Sequence, residues 1–330
     1  MPEIRKNLIT GEYVIMAPER AKRPEDFVHP AKPTDVPEFQ PNCPFCPGNE
    51  DKTPPHNYRV PEEGQWAQRC IPNKFSALNS AGELWKKEDD LKLSTAGVGL
   101  HEVIIETPRH DLCVAQQPTE DVKGLVRTYH NRFTAFHADP RVEHVILFRN
   151  HGAAAGTSLE HPHSQIVGLP MTPAQVRTRF DDALKFFLSD GDCIVCRTMR
   201  AEREEGVRVI METKHFLAFI PYAALSPFHT WIFPKKHSAC FGSTTPEELD
   251  DMALVLKTVL AKIRKGLDNP DFNYVIRSGA PGEAHMKHLH WYIAIVPRVT
   301  KAAGFELGTG MYINPSIPEA SAEFLRKVEV

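Results

Sequence analysis

Nowhere in the chain do about 18 apolar residues run consecutively, the length a membrane-crossing helix needs. Positive charge is not in excess either. The 39 Lys and Arg stand against 42 Asp and Glu, for a formal net charge of −3, which gives no overall basic field for nucleic acid. The N-terminal stretch MPEIRKNLITGEYVIMAPERAKRPEDF carries charges and lacks the apolar core of a secretion signal. These absences lead us to expect a cytoplasmic enzyme with no nucleic-acid or membrane partner. At 330 residues the chain is long enough for two ordinary domains or one duplicated one.

Cysteine is sparse but patterned. Four of the seven form two C-x-x-C pairs, Cys43/Cys46 in NCPFCPGNE and Cys193/Cys196 in GDCIVCRTM, while Cys70, Cys113 and Cys240 stand alone. A redox pair of the thioredoxin kind wants a strand-to-helix turn within a βαβ pattern, and neither pair has convincing flanks of that sort. Two pairs about 150 residues apart, in a chain with 16 histidines, favour two separate zinc sites.

The pairs head an internal repeat. QRCIPNKFSAL (68–78), HEVIIETPRHD (101–111) and HVILFRNHGAAAGTSLEHPHSQIVGLP (144–170) follow the first. FLAFIPYAALSPFHTWIFPKKHSA (216–239) and FNYVIRSGAPGEAHMKHLHWYIAIVP (272–297) follow the second. In each half a strand ends in Pro and then His (His110, His237), and a hairpin reaches H-x-H (His161/His163, His288/His290). Between them TEDVKGLVRTYHNRFTAF and TPEELDDMALVLKTVLAKIRKGL open on Thr and acidic residues, which is helix-start chemistry. Apolar residues at 254, 255, 259, 260 and 263 recur at helical spacing. The expected unit is β-β-β-α-β-β, made twice.

Each half then offers two thiolates and two imidazoles, the donor set of tetrahedral zinc. The first set is Cys43, Cys46, His110 and His161, and the second is Cys193, Cys196, His237 and His288. His285 is an alternative to His288. Four protein ligands close a site, so both metals are expected to be structural. That leaves His163. In a strand, His161, His163 and Gln165 point to one face, with Pro162 and Ser164 turned away.

NHGAAAGTSLEHPHSQ, CPFCPGNE and ERAKRP together resemble the galactose-1-phosphate uridylyltransferase branch of the histidine-triad superfamily, and AFIPYAALSPFHTWIFPKKH resembles a histidine-triad unit on its own. The resemblance runs from about residue 7 to 318. It implies an α+β fold of two fused histidine-triad-like repeats, each an antiparallel half-barrel sheet with helices packed on it, and a homodimer. The halves are divided as 1–185, carrying H-P-H-x-Q, and 186–330, carrying the second metal.

The resemblance also implies nucleotidyl transfer through a covalent nucleotidyl-histidine at His163, with a backbone carbonyl of the H-P-H segment holding the other ring nitrogen. Neutral imidazole suits this chemistry, because near pH 7 one nitrogen keeps its lone pair. Gln165 can donate its amide to a phosphoryl oxygen where charge shifts. Asn150, Gly156, Thr157 and Ser158 match the family's nucleotide-diphosphate contacts, Asn73 matches a base or ribose contact, and Arg20 and Arg23 offer guanidiniums to phosphates. His290, followed by Trp291 and Tyr292 where the first half has Ser-Gln, is expected to pack or to contact substrate rather than attack.

The expected partners are a nucleoside-diphosphate sugar and a hexose 1-phosphate, as in UDP-glucose:galactose-1-phosphate uridylyl transfer. GFELGTGMYINPSIPE (304–319) lacks the lysine and glutamine of the hexose-binding segment, and RAKRPEDF lacks a tryptophan after Arg-Pro. An ADP-glucose phosphorylase using inorganic phosphate therefore stands as the alternative. A zinc-stabilised nucleotide-binding protein without transfer is the third reading.

Overall fold

The computed structural model describes residues 1–18, 27 and 36–330; Arg20 and Arg23 lie outside them. Strands β1 (Glu3–Lys6) and β2 (Tyr13–Met16) form a hairpin. Then come β3 (Tyr58–Val60), β4 (Gln68–Pro72), an exposed hairpin of β5 (Lys86–Asp89) and β6 (Lys92–Thr95), and β7 (Leu100–Ile105). Helix α1 (Thr119–His137), β8 (His144–His151) and β9 (His163–Leu169) complete the first half. Helices α2 (Ala174–Asp190) and α3 (Ile194–Glu205) lead into β10 (Val209–Glu212), β11 (Phe216–Phe219), β12 (Thr230–Pro234), α4 (Pro246–Gly266), β13 (Phe272–Arg277) and β14 (Tyr292–Pro297). After α5 (Gly304–Thr309), β15 (Tyr312–Asn314) adds in parallel to β2, and α6 (Pro318–Lys327) follows.

The fold is α+β and the duplication is visible in it. One antiparallel sheet of ten strands runs β10-β11-β12-β14-β13-β8-β9-β7-β4-β3. Read inward from either edge, each half has the same strand order, with the last hairpin turned so that its first strand lies innermost. The halves meet where β13 pairs with β8, Phe272 opposite His151 and Ile276 opposite Leu147.

Both long helices cover one face of this sheet. In α1 the buried side chains Val122, Leu125, Val126, Tyr129, Phe133 and Phe136 follow helical spacing, and in α4 Leu249, Met252, Leu256, Val259, Leu260 and Ile263 do the same. Leu254, expected on that stripe, is 43% exposed and points outward. Thr245 caps α4 as a capping box, its hydroxyl accepting from Glu248 N while Glu248 accepts from Thr245 N. Thr119 does not act as a cap, because the N-cap of α1 is Pro118. No helix among the described residues is long and apolar enough to cross a membrane.

Strand alternation divides β9 between the two faces. Ser164 points into the helix-covered core, where its hydroxyl lies 2.6 Å from Tyr129 OH, which lies 2.6 Å from Tyr274 OH. Glu106, fully buried, accepts from Tyr129 OH at 2.9 Å and from Ser164 Oγ, and pairs with the buried guanidinium of Arg149. This charged pair sits in the core behind His163, at the seam between the halves. A lone buried charge is costly, whereas a pair removed together is not. Arg149→Met therefore lowers unfolding free energy by about 3–5 kcal/mol, and adding Glu106→Leu recovers most of it. Denaturant titration of the two variants checks this, and equal stabilities would refute it.

Candidate active site and metal centres

Cys43, Cys46, His110 and His161 are all buried, with their ligand atoms within 4.8 Å of one another. His110 Nδ1 and His161 Nδ1 are 3.2 Å apart, and Cys46 Sγ lies 3.5 and 3.6 Å from them. A zinc tetrahedron with bonds of about 2.05 Å to nitrogen and 2.3 Å to sulfur has edges of about 3.3 Å (N···N) and 3.6 Å (N···S). The donors thus already stand at metal-binding separations.

Their surroundings fit a cation too. Gln40 N and Phe45 N donate to Cys46 Sγ and Cys43 Sγ at 3.3 and 3.4 Å, placing positive dipoles on sulfurs that must be thiolates to bind metal. His161 Nε2 donates to Thr107 O at 2.8 Å, which leaves the Nδ1 lone pair toward the cluster. Burial holds the His161 pKa down at about 4, so the ring is neutral at pH 7.

The same short segment builds the second group. His163, 7% exposed at the start of β9, has Nδ1 2.8 Å from His161 O. A carbonyl only accepts, so the proton sits on Nδ1 and Nε2 keeps its lone pair. Burial, with a smaller effect from the Arg149 charge, holds this imidazole below its ordinary pKa and therefore neutral. Phe45, between the two cysteines, packs edge-on against both rings, with centroids 6.0 Å from His161 and 5.5 Å from His163. Gln165, two residues along on the same face, accepts at Oε1 from His101 Nε2 at 2.8 Å. Asn73 lies beside them, its Nδ2 3.0 Å from His101 Nε2 and 3.4 Å from Gln165 Oε1.

The loop from Asn150 to Ser158 leads into that strand. Gly152 has φ +83°, and a Cβ there would fall 1.7 Å from Asp271 Oδ1, so only glycine lets the loop pass so close. Asp271 Oδ2 accepts from Ala154 N at 2.6 Å. Asn273 Nδ2 donates to Asn150 Oδ1 at 2.7 Å and to Ala155 O at 2.9 Å. Thr157 Oγ1 donates to Asn150 O at 3.0 Å. Gly156, also at positive φ, and Ser158 are exposed at the loop's outer turn. The loop of the first half is thus held by β13 of the second.

In the second half Cys193, Cys196 and His237 come together, with Cys196 Sγ 3.4 Å from His237 Nδ1. Cys193 is the N-cap of α3, and a hydrogen bond from Cys196 is the main influence holding its pKa below the ordinary thiol range. The His288 ring is not gathered into this group: it tilts against Phe187 of α2, centroids 6.4 Å apart, and it is the His288 carbonyl that faces Cys193 Sγ, at 3.8 Å. His285 is exposed. The imidazole packed on His237 is that of His290, centroids 5.3 Å apart. Its Nδ1 donates to Trp291 O, and its buried Nε2 finds no partner among the described residues.

Several residues here escaped sequence reasoning. Phe45 was visible between the cysteines, and His101 opens a segment already singled out, so both had a signal. Thr107, Asp271 and Asn273 had none, because they act through backbone register and a strand pairing between the halves.

Residues 1–173 match the family described as galactose-1-phosphate uridyl transferase, N-terminal domain, and residues 202–298 match the HIT domain. The chain is 35% identical to an ADP-glucose phosphorylase of Arabidopsis thaliana over all of its own length and 93% of the relative's. It is 30% identical to a galactose-1-phosphate uridylyltransferase of Thermotoga maritima over 100% and 99% of the two chains. The crystal structure of an ADP-glucose phosphorylase from Arabidopsis thaliana with bound ADP-glucose superposes with a TM-score of 0.83 at 32% identity, covering 100% of this chain and 99% of that one.

The two clusters make separable predictions. Cys46→Ser should remove about one metal ion per chain, and Cys196→Ser the other, as counted by elemental analysis of purified protein. Loss at the first cluster should also lower thermal stability, since a structural zinc contributes folding energy. Unchanged metal content in Cys46→Ser would refute the first donor set.

Proposed function

The chain belongs to the galactose-1-phosphate uridylyltransferase family and is a nucleotidyltransferase, and from that premise we propose that it moves a nucleoside monophosphate from a nucleoside-diphosphate sugar to a phosphate acceptor through His163. The observation that carries this reading is the bond from His163 Nδ1 to His161 O, which leaves a neutral imidazole with Nε2 open beside Gln165. In the first step Nε2 attacks the α-phosphorus. An N–P bond forms, the bond to the bridging oxygen breaks, and sugar 1-phosphate leaves. In the second step an oxygen of the acceptor phosphate attacks the same phosphorus, the N–P bond breaks, and the lone pair returns to Nε2.

Gln165 donates its amide to a non-bridging oxygen as charge shifts onto it. The loop 150–158 offers backbone N–H groups to the diphosphate, with Asn150, Gly156, Thr157 and Ser158 as the candidate contacts. Asn73 is the candidate base or ribose contact, and Arg20 and Arg23 are candidate phosphate contacts outside the described residues. Metal at the first cluster, read as zinc, would hold the His161 ring and hence the carbonyl that orients His163. On this reading residues 1–185 carry the chemistry and 186–330 support it.

ADP-glucose and inorganic phosphate are the substrates we favour. The 35% identity to an ADP-glucose phosphorylase over the whole chain supports this, as do the missing lysine and glutamine in 304–319. Uridylyl transfer from UDP-glucose to a hexose 1-phosphate is the second reading, supported by the 30% identical relative. The test incubates the protein with ADP-glucose or UDP-glucose labelled in the α-phosphate and seeks acid-labile, alkali-stable label. ADP-glucose should label the wild type, and His163→Ala should take no label while keeping its fold and metal. Labelling from UDP-glucose alone would transfer the assignment to the second reading. Label from neither, or undiminished label on His163→Ala, would overturn the proposal.

A further inference from the structure

Gln165 can assist transfer only if its NH2 group, not its carbonyl, faces the phosphoryl oxygens. We infer that His101, through its Nε2–H bond to Gln165 Oε1, sets that orientation and is a positioning residue for the transfer step. The inference rests on the reading of His163 and Gln165 given above.

Hydrogen-bond requirements fix the direction. Asn73 Oδ1 accepts from Phe75 N at 2.9 Å, so Asn73 turns its Nδ2 toward His101 and Gln165. His101 Nε2 lies 3.0 Å from that Nδ2 and 2.8 Å from Gln165 Oε1. It carries either a proton or a lone pair, and the shorter contact, to an oxygen that only accepts, gives it the proton; Asn73 Nδ2 then turns its hydrogen to the same oxygen, at 3.4 Å. The other tautomer would carry its proton on Nδ1, which is buried without a partner among the described residues. That tautomer would also set the Nε2 lone pair against the lone pairs of Gln165 Oε1 at 2.8 Å. The Nε2–H tautomer therefore prevails, the Gln165 oxygen is held inward, and the amide nitrogen is turned outward.

The duplication supplies an independent comparison. Gln165 lies two residues beyond His163 on β9, and Tyr292 lies two residues beyond His290 on β14. On β7, Val103 is opposite Gln165 and His101 is opposite Val167. On β12, Trp231 is opposite Ala294, two residues beyond Tyr292, so Trp231 occupies the position of His101. On the next strand outward, Asn73 N bonds His101 O while Phe219 is opposite Trp231. The trio Asn73, His101 and Gln165 is thus matched by Phe219, Trp231 and Tyr292. Those three are buried rings, Trp231 packing on both of the others, with centroids 6.1 Å from Phe219 and 5.5 Å from Tyr292. In the second half these positions are filled by packed rings. A polar chain appears in the half with Gln165 and is absent in the half without it.

The experiment measures single-turnover labelling by ADP-glucose and by UDP-glucose in wild type, His101→Phe, His101→Gln, Gln165→Ala and the His101→Phe/Gln165→Ala double variant, with metal content and thermal melting as fold controls. His101→Phe should slow labelling about tenfold through lost preorganisation, at unchanged half-saturating substrate. His101→Gln, which keeps an N–H at similar reach, should restore most of the rate. In the Gln165→Ala background His101→Phe should change nothing further, because the residue acts through that amide. Should His101→Phe melt early or lose metal, His101→Leu carries the same comparison. Wild-type labelling in His101→Phe, or losses that multiply in the double variant, would overturn the inference and leave the His163 reading standing. Failure of the wild type to label with either sugar nucleotide would overturn that reading and this inference with it.

Discussion

The site depends on one peptide carbonyl. His161 O accepts from His163 Nδ1 and so decides which nitrogen of His163 keeps a lone pair. That carbonyl is itself held, because the ring of His161 stands in the first Cys/His cluster and is braced on its other side by Thr107 O. The chain from cluster to ring to carbonyl to neighbouring ring spans three residues, which leaves little slack for the orientation of His163. A cluster of four Cys/His donors thereby bears on the orientation of a ring outside it. Phe45 reinforces the link, since a side chain of the cysteine turn packs on both rings.

A second constraint is that the halves are unequal copies on one sheet. The strand order repeats, yet the face that carries His101 and Gln165 in one half carries Trp231 and Tyr292 in the other. Polar groups on a half-buried face must find partners or remain solvated; the rings bury area there, with Trp231 Nε1 donating to His229 Nε2 at 3.1 Å. The second half fills that face with rings. Its contribution passes instead through the central seam, where Asp271 and Asn273 hold the loop from 150 to 158. The buried Glu106–Arg149 pair lies at the same seam, with Arg149 on β8 opposite Tyr274 of β13.

Much of this was legible in the residues. The β-β-β-α-β-β unit showed because its markers recur in order, and strand period placed His163 and Gln165 on one face with Ser164 behind. Helix starts were partly legible: Thr245 caps α4 as expected, but at α1 the chain enters the helix through Pro118, and the hydroxyl of Thr119 falls inside the first turn. Leu254 was misassigned to the buried stripe because the buried positions of α4, among them Met252, Leu256, Val259 and Ile263, centre on one side of the 100° wheel and Leu254 falls on the opposite side.

The sequence by itself determined the duplication, the two cysteine turns, three donors of the second cluster and all four of the first, since each is written in local spacing that a strand or turn converts directly into geometry. Only the tertiary structure decided the rest. It set the His288 ring on Phe187 and packed His290 against His237, because three histidines close together in one run are equivalent until side-chain packing distinguishes them. It brought Asp271 and Asn273 to the loop of the other half through a strand pairing more than 100 residues apart. It also turned His101 onto Gln165, a contact that depends on the register of β7 against β9. Local pattern carries the chemistry of a residue and the face it occupies. Which partner it meets there is fixed by long-range register and close packing, which no single stretch of chain contains.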